Sequence, residues 1–357
     1  MSNPTLVAIT LTPGGDGVAV VARMLRDALQ SRTPGGCEIV SMFDGPARHP
    51  SVRDKIAFTG RLSRDILIRR PQWVLFSHIG LMRAQKGIPF AFRRPYGVFL
   101  HGVEAWKRLS PTDRSMLRGA SLRLANTRHT AARVMAANPE IGVVASCPLA
   151  LTTDIATAPM IAGSELPPAL ADRTAQIVLM VGGLRGDQAY KGHDQVIQAW
   201  SAVIHAVPNA RLVIVGDGDD RPRLEQLARE SRAGDRIAFT GFASDALLAA
   251  AYARASLFVM PSRGEGFGLV YVEAMARGVP CIGSFHDAAG DVIVDGKTGL
   301  LVDQGNIGSI ADAIVSLLRN PERRLSMGEA ARMRVHEEFS TPVFRARLNT
   351  ILDQAFE

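Results

Sequence analysis

Two carboxylates, Glu265 and Glu273, stand eight positions apart around a glycine-rich turn in Pro261-Ser-Arg-Gly-Glu-Gly-Phe-Gly-Leu-Val-Tyr-Val-Glu-Ala-Met275. The apolar run 256–260 before it reads as a buried parallel strand, and Gly264, Gly266 and Gly268 fill the turn that follows. From Leu269 to Arg277 the spacing is helical, with Gly278 as the stop and Pro280 just beyond. Glu265 then stands on the loop at the positive end of this helix, and Glu273 lies about one turn inside. Free N–H groups at a helix start hold phosphate oxygens. One carboxylate beside them can accept hydrogen bonds from a ribose, the other from a sugar ring. The arrangement suits a nucleotide sugar; a Glu favoured by the helix dipole and a solvated helix Glu are the plainer alternative.

A second chemical stretch is Val181-Gly-Gly-Leu-Arg-Gly-Asp-Gln-Ala-Tyr-Lys-Gly-His-Asp194. Gly182 and Gly183 permit close backbone approach, Arg185 and Lys191 can neutralise a diphosphate, and Asp194 is expected to cap the next helix. A leaving nucleoside diphosphate gathers charge as its glycosidic bond breaks, so fixed cations there favour the transition state. In Val215-Gly-Asp-Gly-Asp-Asp220, Asp217 and Asp219 read either as a metal-binding pair or, preferably, as a tight turn closing a strand at Gly216. Gly241-Phe-Ala-Ser-Asp245 follows another strand, with Ser244 or Asp245 capping a helix. Nearer the start, Gly14, Gly15 and Gly17 form a strand-to-helix loop whose spacing is wrong for a dinucleotide fingerprint. Phe99-Leu-His-Gly-Val-Glu-Ala-Trp106 puts His101 just past an apolar strand, with Glu104 three residues on as a candidate acceptor contact or general base.

Positioning these residues requires alternating strands and helices. Strands are expected at 6–10, 38–42, 73–77, 97–100, 122–125 and 143–146, and again at 177–181, 211–215, 236–240, 256–260, 280–283 and 299–302. Ser110-Pro-Thr-Asp113 caps one intervening helix, Asn320-Pro321 starts another, and Ser340-Thr-Pro342 begins a last one running to about Phe356. Such alternation implies parallel sheets covered by helices. Between 151 and 173 the periodicity fails among prolines, which predicts a first domain over 1–155, a linker over 156–172 and a second domain over 173–340. Residues 341–357 are expected to form a helix returning to the first domain. Two such domains would leave a cleft at the carboxyl ends of their strands, where parallel sheets bind ligands.

The chain has 357 residues, 47% apolar and 21% charged, which suits a globular protein of two domains. No run of about 18 apolar residues is present, so no membrane-spanning helix is expected. The first ten residues lack the basic start and apolar stretch of a signal peptide, and Cys37, Cys147 and Cys281 are too scattered for a metal site. Reduced core thiols in a cytoplasmic protein are expected. The net charge of +7 is uneven: residues 1–155 hold 21 Lys+Arg against 10 Asp+Glu, and the remainder holds 20 against 24. In the first half, Arg61, Arg64, Arg69, Arg70, Arg83, Lys86, Arg93 and Arg94 are interleaved with Ile66, Leu67, Ile68, Trp73, Phe90, Phe92 and Tyr96. That mixture suits an anionic membrane surface or a phosphate-bearing acceptor, and solvated helix faces equally. No nucleic-acid-binding motif accompanies it.

The Glu265–Glu273 stretch resembles the Glu-x7-Glu motif of the retaining family-4 glycosyltransferases, and 170–340 as a whole resembles the nucleotide-sugar domain of the GT-B fold. The resemblance implies an α/β architecture of two Rossmann-like domains facing across a cleft. It implies hexosyl transfer from a nucleoside-diphosphate sugar to a hydroxyl acceptor, with no metal or other cofactor. GDP-mannose is the first expectation for the donor and UDP sugars the second. The first domain resembles the acceptor domain of that fold in outline, and its basic charge alone suggests a lipid-linked or surface-polysaccharide acceptor. By the same resemblance Glu265 approaches the donor sugar's hydroxyls and Glu273 holds the ribose. Gly266 belongs to the same turn, and the amides of Phe267, Gly268 and Leu269 face sugar and diphosphate. Lys191 matches the family's Lys-Gly-His-Asp segment. Gly183 stands where the family usually has its arginine, which leaves Arg185 to take that part. Phe242 and Ala243 meet the base, Gly216 the nucleotide, and the loop of Gly14 and Gly15 the diphosphate and acceptor. His101 hydrogen-bonds the transferred sugar. An epimerase or a sugar phosphorylase sharing the fold would need motifs absent here, and a hinge-closing sugar-binding protein would need export.

Overall fold

The computed structural model describes residues 3–12, 17–32, 35–151 and 166–356. Gly14, Gly15 and residues 156–165 of the expected linker lie outside them. The chain divides into two compact units, Met1–Ala150 with Thr341–Glu357 and Leu151–Ser340.

The first unit is built on β1 (Thr5–Ala8), β2 (Glu38–Ser41), β3 (Val74–Phe76), β4 (Tyr96–Leu100), β5 (Leu122–Ala125) and β6 (Ala145–Ser146). All pair in parallel in the order β2-β1-β3-β4-β5-β6. Helices α1 (Gly17–Arg32), α2 (Val52–Arg69), α3 (Pro111–Gly119) and α4 (Arg128–Ala137) cross over between strands. Ser51 and Asp54 form a reciprocal capping box that starts α2, and Ser110 caps α3 with Pro111 at its first position. The core face of α2 is Phe58, Leu62 and Ile66, fully buried against the strands.

The second unit repeats the plan with β7 (Gln176–Val181), β8 (Ala210–Val215), β9 (Ile237–Gly241), β10 (Ala255–Val259), β11 (Cys281–Ser284) and β12 (Gly299–Val302), again parallel, in the order β12-β11-β10-β7-β8-β9. Its helices are α5 (Pro168–Ala171), α6 (His193–Ala206), α7 (Arg221–Glu230), α8 (Asp245–Arg254), α9 (Leu269–Ala276), α10 (Ala289–Val292), α11 (Ile307–Leu318) and α12 (Pro321–Glu338). The short α5 occupies residues assigned to the linker by sequence and buries Leu170. The last helix, α13 (Thr341–Phe356), belongs to the first unit, where Phe356 stacks on Trp73 at 4.6 Å and Arg32 pairs with Asp353 at 2.5 Å.

All twelve expected strands form, with ends shifted by a few residues at most. The strands β7, β8 and β10 are buried on both faces, which is why they read as unbroken apolar runs. In the second sheet the order of connection reverses between β7 and β10, which lie side by side. The carboxyl ends of two strands at such a reversal diverge and leave room for a ligand. Cys147 and Cys281 are buried thiols, whereas Cys37 is only half-buried.

Candidate active site

The loops leaving β7 and β10 carry Lys191 and Glu265, so the reversal point sets these two charged groups together. After β7, the Gly182 N–H donates to Val215 O at 3.0 Å and the Leu184 N–H to Asp217 O at 2.9 Å, which extends the β7–β8 pairing past the strand ends. The two backbones touch at Gly216, whose φ is +148°, and a Cβ there would lie 1.9 Å from Gly182 O. Only glycine fits. The close approach expected at Gly182 and Gly183 is used internally: Lys191 Nζ lies against the first and the Gln188 side chain against the second.

A turn of 3-10 helix, Gly186–Lys191, delivers Lys191. Burial lowers the proton affinity of its ammonium, and the nearby Glu265 carboxylate partly restores it. The two loops are bonded to each other, since Tyr190 O accepts from the Arg263 N–H at 3.0 Å and from Gln304 Nε2 at 2.8 Å.

Glu265 is half-buried. Its carboxylate accepts from the N–H groups of Gly266 and Gly268, which with Lys191 counteracts the stronger effect of burial. The net shift is upward, with Asp287 adding to it. Gly268 has φ +84°, and a Cβ on it would strike the Tyr271 ring at 2.3 Å, so the turn into α9 needs glycine here too. No side chain caps the start of α9. The Tyr271 N–H donates to Gly268 O at 2.9 Å, and the N–H groups left over at a helix start carry partial positive charge. Phe267 is buried edge-on against Phe339 at 5.8 Å.

Glu273 is buried, not solvated. The helix α9 is apolar on every face, so its one carboxylate enters the core, where the Tyr252 hydroxyl donates to Oε2 at 2.8 Å. Burial pushes its pKa up to about 7; Tyr252 pulls it down and Asp245 adds a smaller upward push.

Around this centre the remaining expectations resolve individually. Arg185 is exposed, and its Nε and Nη2 hold Asp187 at 2.9 and 2.5 Å. Asp194 does not cap α6: Gly192, in the left-handed conformation at φ +90°, opens that helix, and both Asp194 oxygens accept from Arg223 of α7 at 2.7 and 2.8 Å. Asp217 and Asp219 are turn residues, with Oδ1 of each accepting from the Gly218 N–H at 2.9 Å and the Gly186 N–H at 3.2 Å. Phe242 is 82% exposed on the loop after β9, Ala243 beside it is half-buried, and Ser244 caps α8 through the Leu247 N–H.

His101 and Glu104 belong to the first unit. The His101 ring donates from Nε2 to Ser77 O at 2.6 Å, a carbonyl that can only accept. Glu104 Oε1 accepts from the His101 N–H at 2.6 Å. With Ile79, Arg83, Lys107 and Arg108, Glu104 also lines a pocket of about 320 Å³. Gly17 begins α1.

Sequence reasoning missed three supports of this site: Tyr190, Tyr252 and Asp287. A lone tyrosine in the alanine-rich segment 245–254 was the available signal for Tyr252, which the structure buries completely. Asp287 is 3% exposed, and such a buried carboxylate must have donors.

Residues 166–334 match the family model described as Glycosyl transferases group 1. The chain is 36% identical over 156 residues to N-acetyl-alpha-D-glucosaminyl L-malate synthase of Bacillus anthracis, covering 44% of this chain and 40% of that protein. It is 35% identical over 169 residues to the GDP-mannose-dependent alpha-(1-6)-phosphatidylinositol monomannoside mannosyltransferase of Mycobacterium tuberculosis (strain CDC 1551 / Oshkosh), covering 45% and 44%. It thus spans less than half the length of either curated relative. Its backbone is similar to that of Anabaena HepE in complex with UDP and glucose, with a TM-score of 0.79, 17% identity, and coverage of 99% of this chain and 100% of that one. The fold is that of the GT-B glycosyltransferases.

Proposed function

We propose that this chain is a retaining, metal-independent hexosyltransferase of the family-4 type. It moves a sugar, mannosyl from GDP-mannose in the first instance, from a nucleoside diphosphate to a hydroxyl of a lipid-linked or surface saccharide. The observation that carries this reading is the placement of Lys191 and Glu265 on the two loops at the reversal point of the second sheet, beside the uncapped start of α9.

In this mechanism the diphosphate departs towards Lys191 and the N–H groups of Phe267 and Leu269, and Arg185 exchanges Asp187 for a phosphate oxygen. The acceptor hydroxyl attacks from the face the diphosphate leaves, and a leaving phosphate oxygen takes its proton. Glu265, held by Gly266 and Gly268, hydrogen-bonds the sugar's hydroxyls, and Glu273 the ribose. Phe242 and Ala243 meet the base. In the first unit, His101 is assigned to the transferred sugar and Glu104 to the acceptor. The outer face of α2 exposes Val52, Ile56 and Ile68 among Arg53, Lys55, Arg61 and Arg64, a mixture suited to peripheral contact with an anionic membrane at its cytoplasmic side. Among the described residues no helix is long and apolar enough to cross a membrane.

Incubating the protein with a panel of nucleotide sugars tests this reading, with thermal shift and slow donor hydrolysis as readouts. One nucleoside diphosphate should stabilise the protein, and Glu273→Ala should abolish that stabilisation. Nucleotide binding that survives Glu273→Ala removes the ribose role.

A further inference from the structure

We propose that Asp287 is a positioning residue for Glu265, a role that rests on the donor-sugar reading above. Glu265 lies in a turn whose neighbours Gly264, Gly266 and Gly268 supply backbone freedom but no side chain to restrain it. A carboxylate meant to meet particular hydroxyls must nevertheless be held within a fraction of an ångström. The restraint comes from the segment after β11. Asp287 Oδ2 accepts from the Glu265 N–H at 3.0 Å, and the next residue, Ala288, donates its N–H to Glu265 O at 3.2 Å. Both polar backbone groups of Glu265 are thus gripped by two consecutive residues.

The Asp287 carboxylate is satisfied in a way that a local turn alone does not require. Its Oδ1 accepts from the Ala289 N–H at 3.0 Å, two residues on, and that bond alone would make an Asx turn. The second oxygen reaches a residue 22 positions earlier in the chain. The Ser262 hydroxyl donates to the same carboxylate and accepts from the Gly264 N–H at 3.1 Å, so the clamp extends along the turn to its entrance. Three donors from two segments therefore converge on one buried carboxylate, and two of the three belong to the turn that carries Glu265.

Amide hydrogen exchange and donor hydrolysis, measured on wild type, D287A and D287N, test the assignment. In D287A the Glu265 amide should exchange at least about tenfold faster, with the amides of β8 unchanged, because a hydrogen bond to a charged acceptor is lost. With GDP-mannose and UDP-glucose as probes, kcat for slow hydrolysis should fall at least about tenfold while KM stays within about threefold. D287N keeps one acceptor oxygen and should fall between; it also carries the test if D287A does not fold. Unchanged exchange at Glu265 in both variants overturns the clamp, and faster exchange with unchanged kcat overturns its positioning role. A wild type that neither binds GDP or UDP nor hydrolyses their sugars defeats the transferase reading instead, and the clamp is then decided by the exchange data alone.

Discussion

Replacing Glu273 by Gln should make the second unit more stable, by an amount that depends on pH. The carboxyl is raised from its ordinary 4.5 to about 7, with burial the largest cause. Between those values the folded protein holds a proton that the unfolded chain has released. Stability therefore falls as pH rises through the window, and the loss is complete above about pH 7. At 1.36 kcal/mol per pKa unit the penalty reaches about 3 kcal/mol at pH 8 and shrinks to roughly a few tenths at pH 4.5. Gln is nearly isosteric and keeps an oxygen for the Tyr252 hydroxyl, so the substitution removes the charge without opening a cavity. For a unit of this size the gain corresponds to roughly 5–10 °C in Tm. Urea titration followed through Trp200, buried in the second unit, reads it once Trp73 and Trp106 are changed to Phe. A variant no more stable than its parent at pH 8, or one whose advantage is equal at pH 4.5 and pH 8, refutes the reasoning.

Changing Lys191 to Ala should reduce turnover by about a hundredfold or more with little change in the acceptor's KM, and an unaltered rate counts against the phosphate assignment. At Gly216, Ala would place a methyl 1.9 Å from Gly182 O, so a loss of about 3 kcal/mol or more in urea stability is expected. A variant within about 1 kcal/mol of wild type would show that the backbones are not in contact there. Cosedimentation with vesicles containing phosphatidylserine should weaken as salt rises from about 50 to 300 mM, and binding indifferent to salt would remove the electrostatic part of the membrane proposal.

The strand framework was legible because both sheets are parallel and covered on each face, so every strand is a short apolar run between turn residues. The start of α2 was equally open to reading in Ser51 and Asp54 but is easily passed over in a segment dominated by arginines. Long-range partners were not legible. Asp194 looks like a cap because it sits near a helix start; the guanidinium that claims it, Arg223, is 29 residues away on another helix. Glu273 gives no sign in sequence of its partner, since the hydroxyl that meets it comes from Tyr252 on α8. Asp287 likewise acts across 22 residues of chain. Local patterning specifies elements, whereas the polar bonds that aim a site join segments brought together only by the finished sheet.

One carbonyl oxygen, on Tyr190, ties the tip of the β7 loop both to the β10 loop and to Gln304 beyond β12. Three crossovers meet at that oxygen, so their lengths are not independent variables. Anyone transplanting a donor-specificity loop from a related sequence into this scaffold will have to move the neighbouring segments with it, as a matched set.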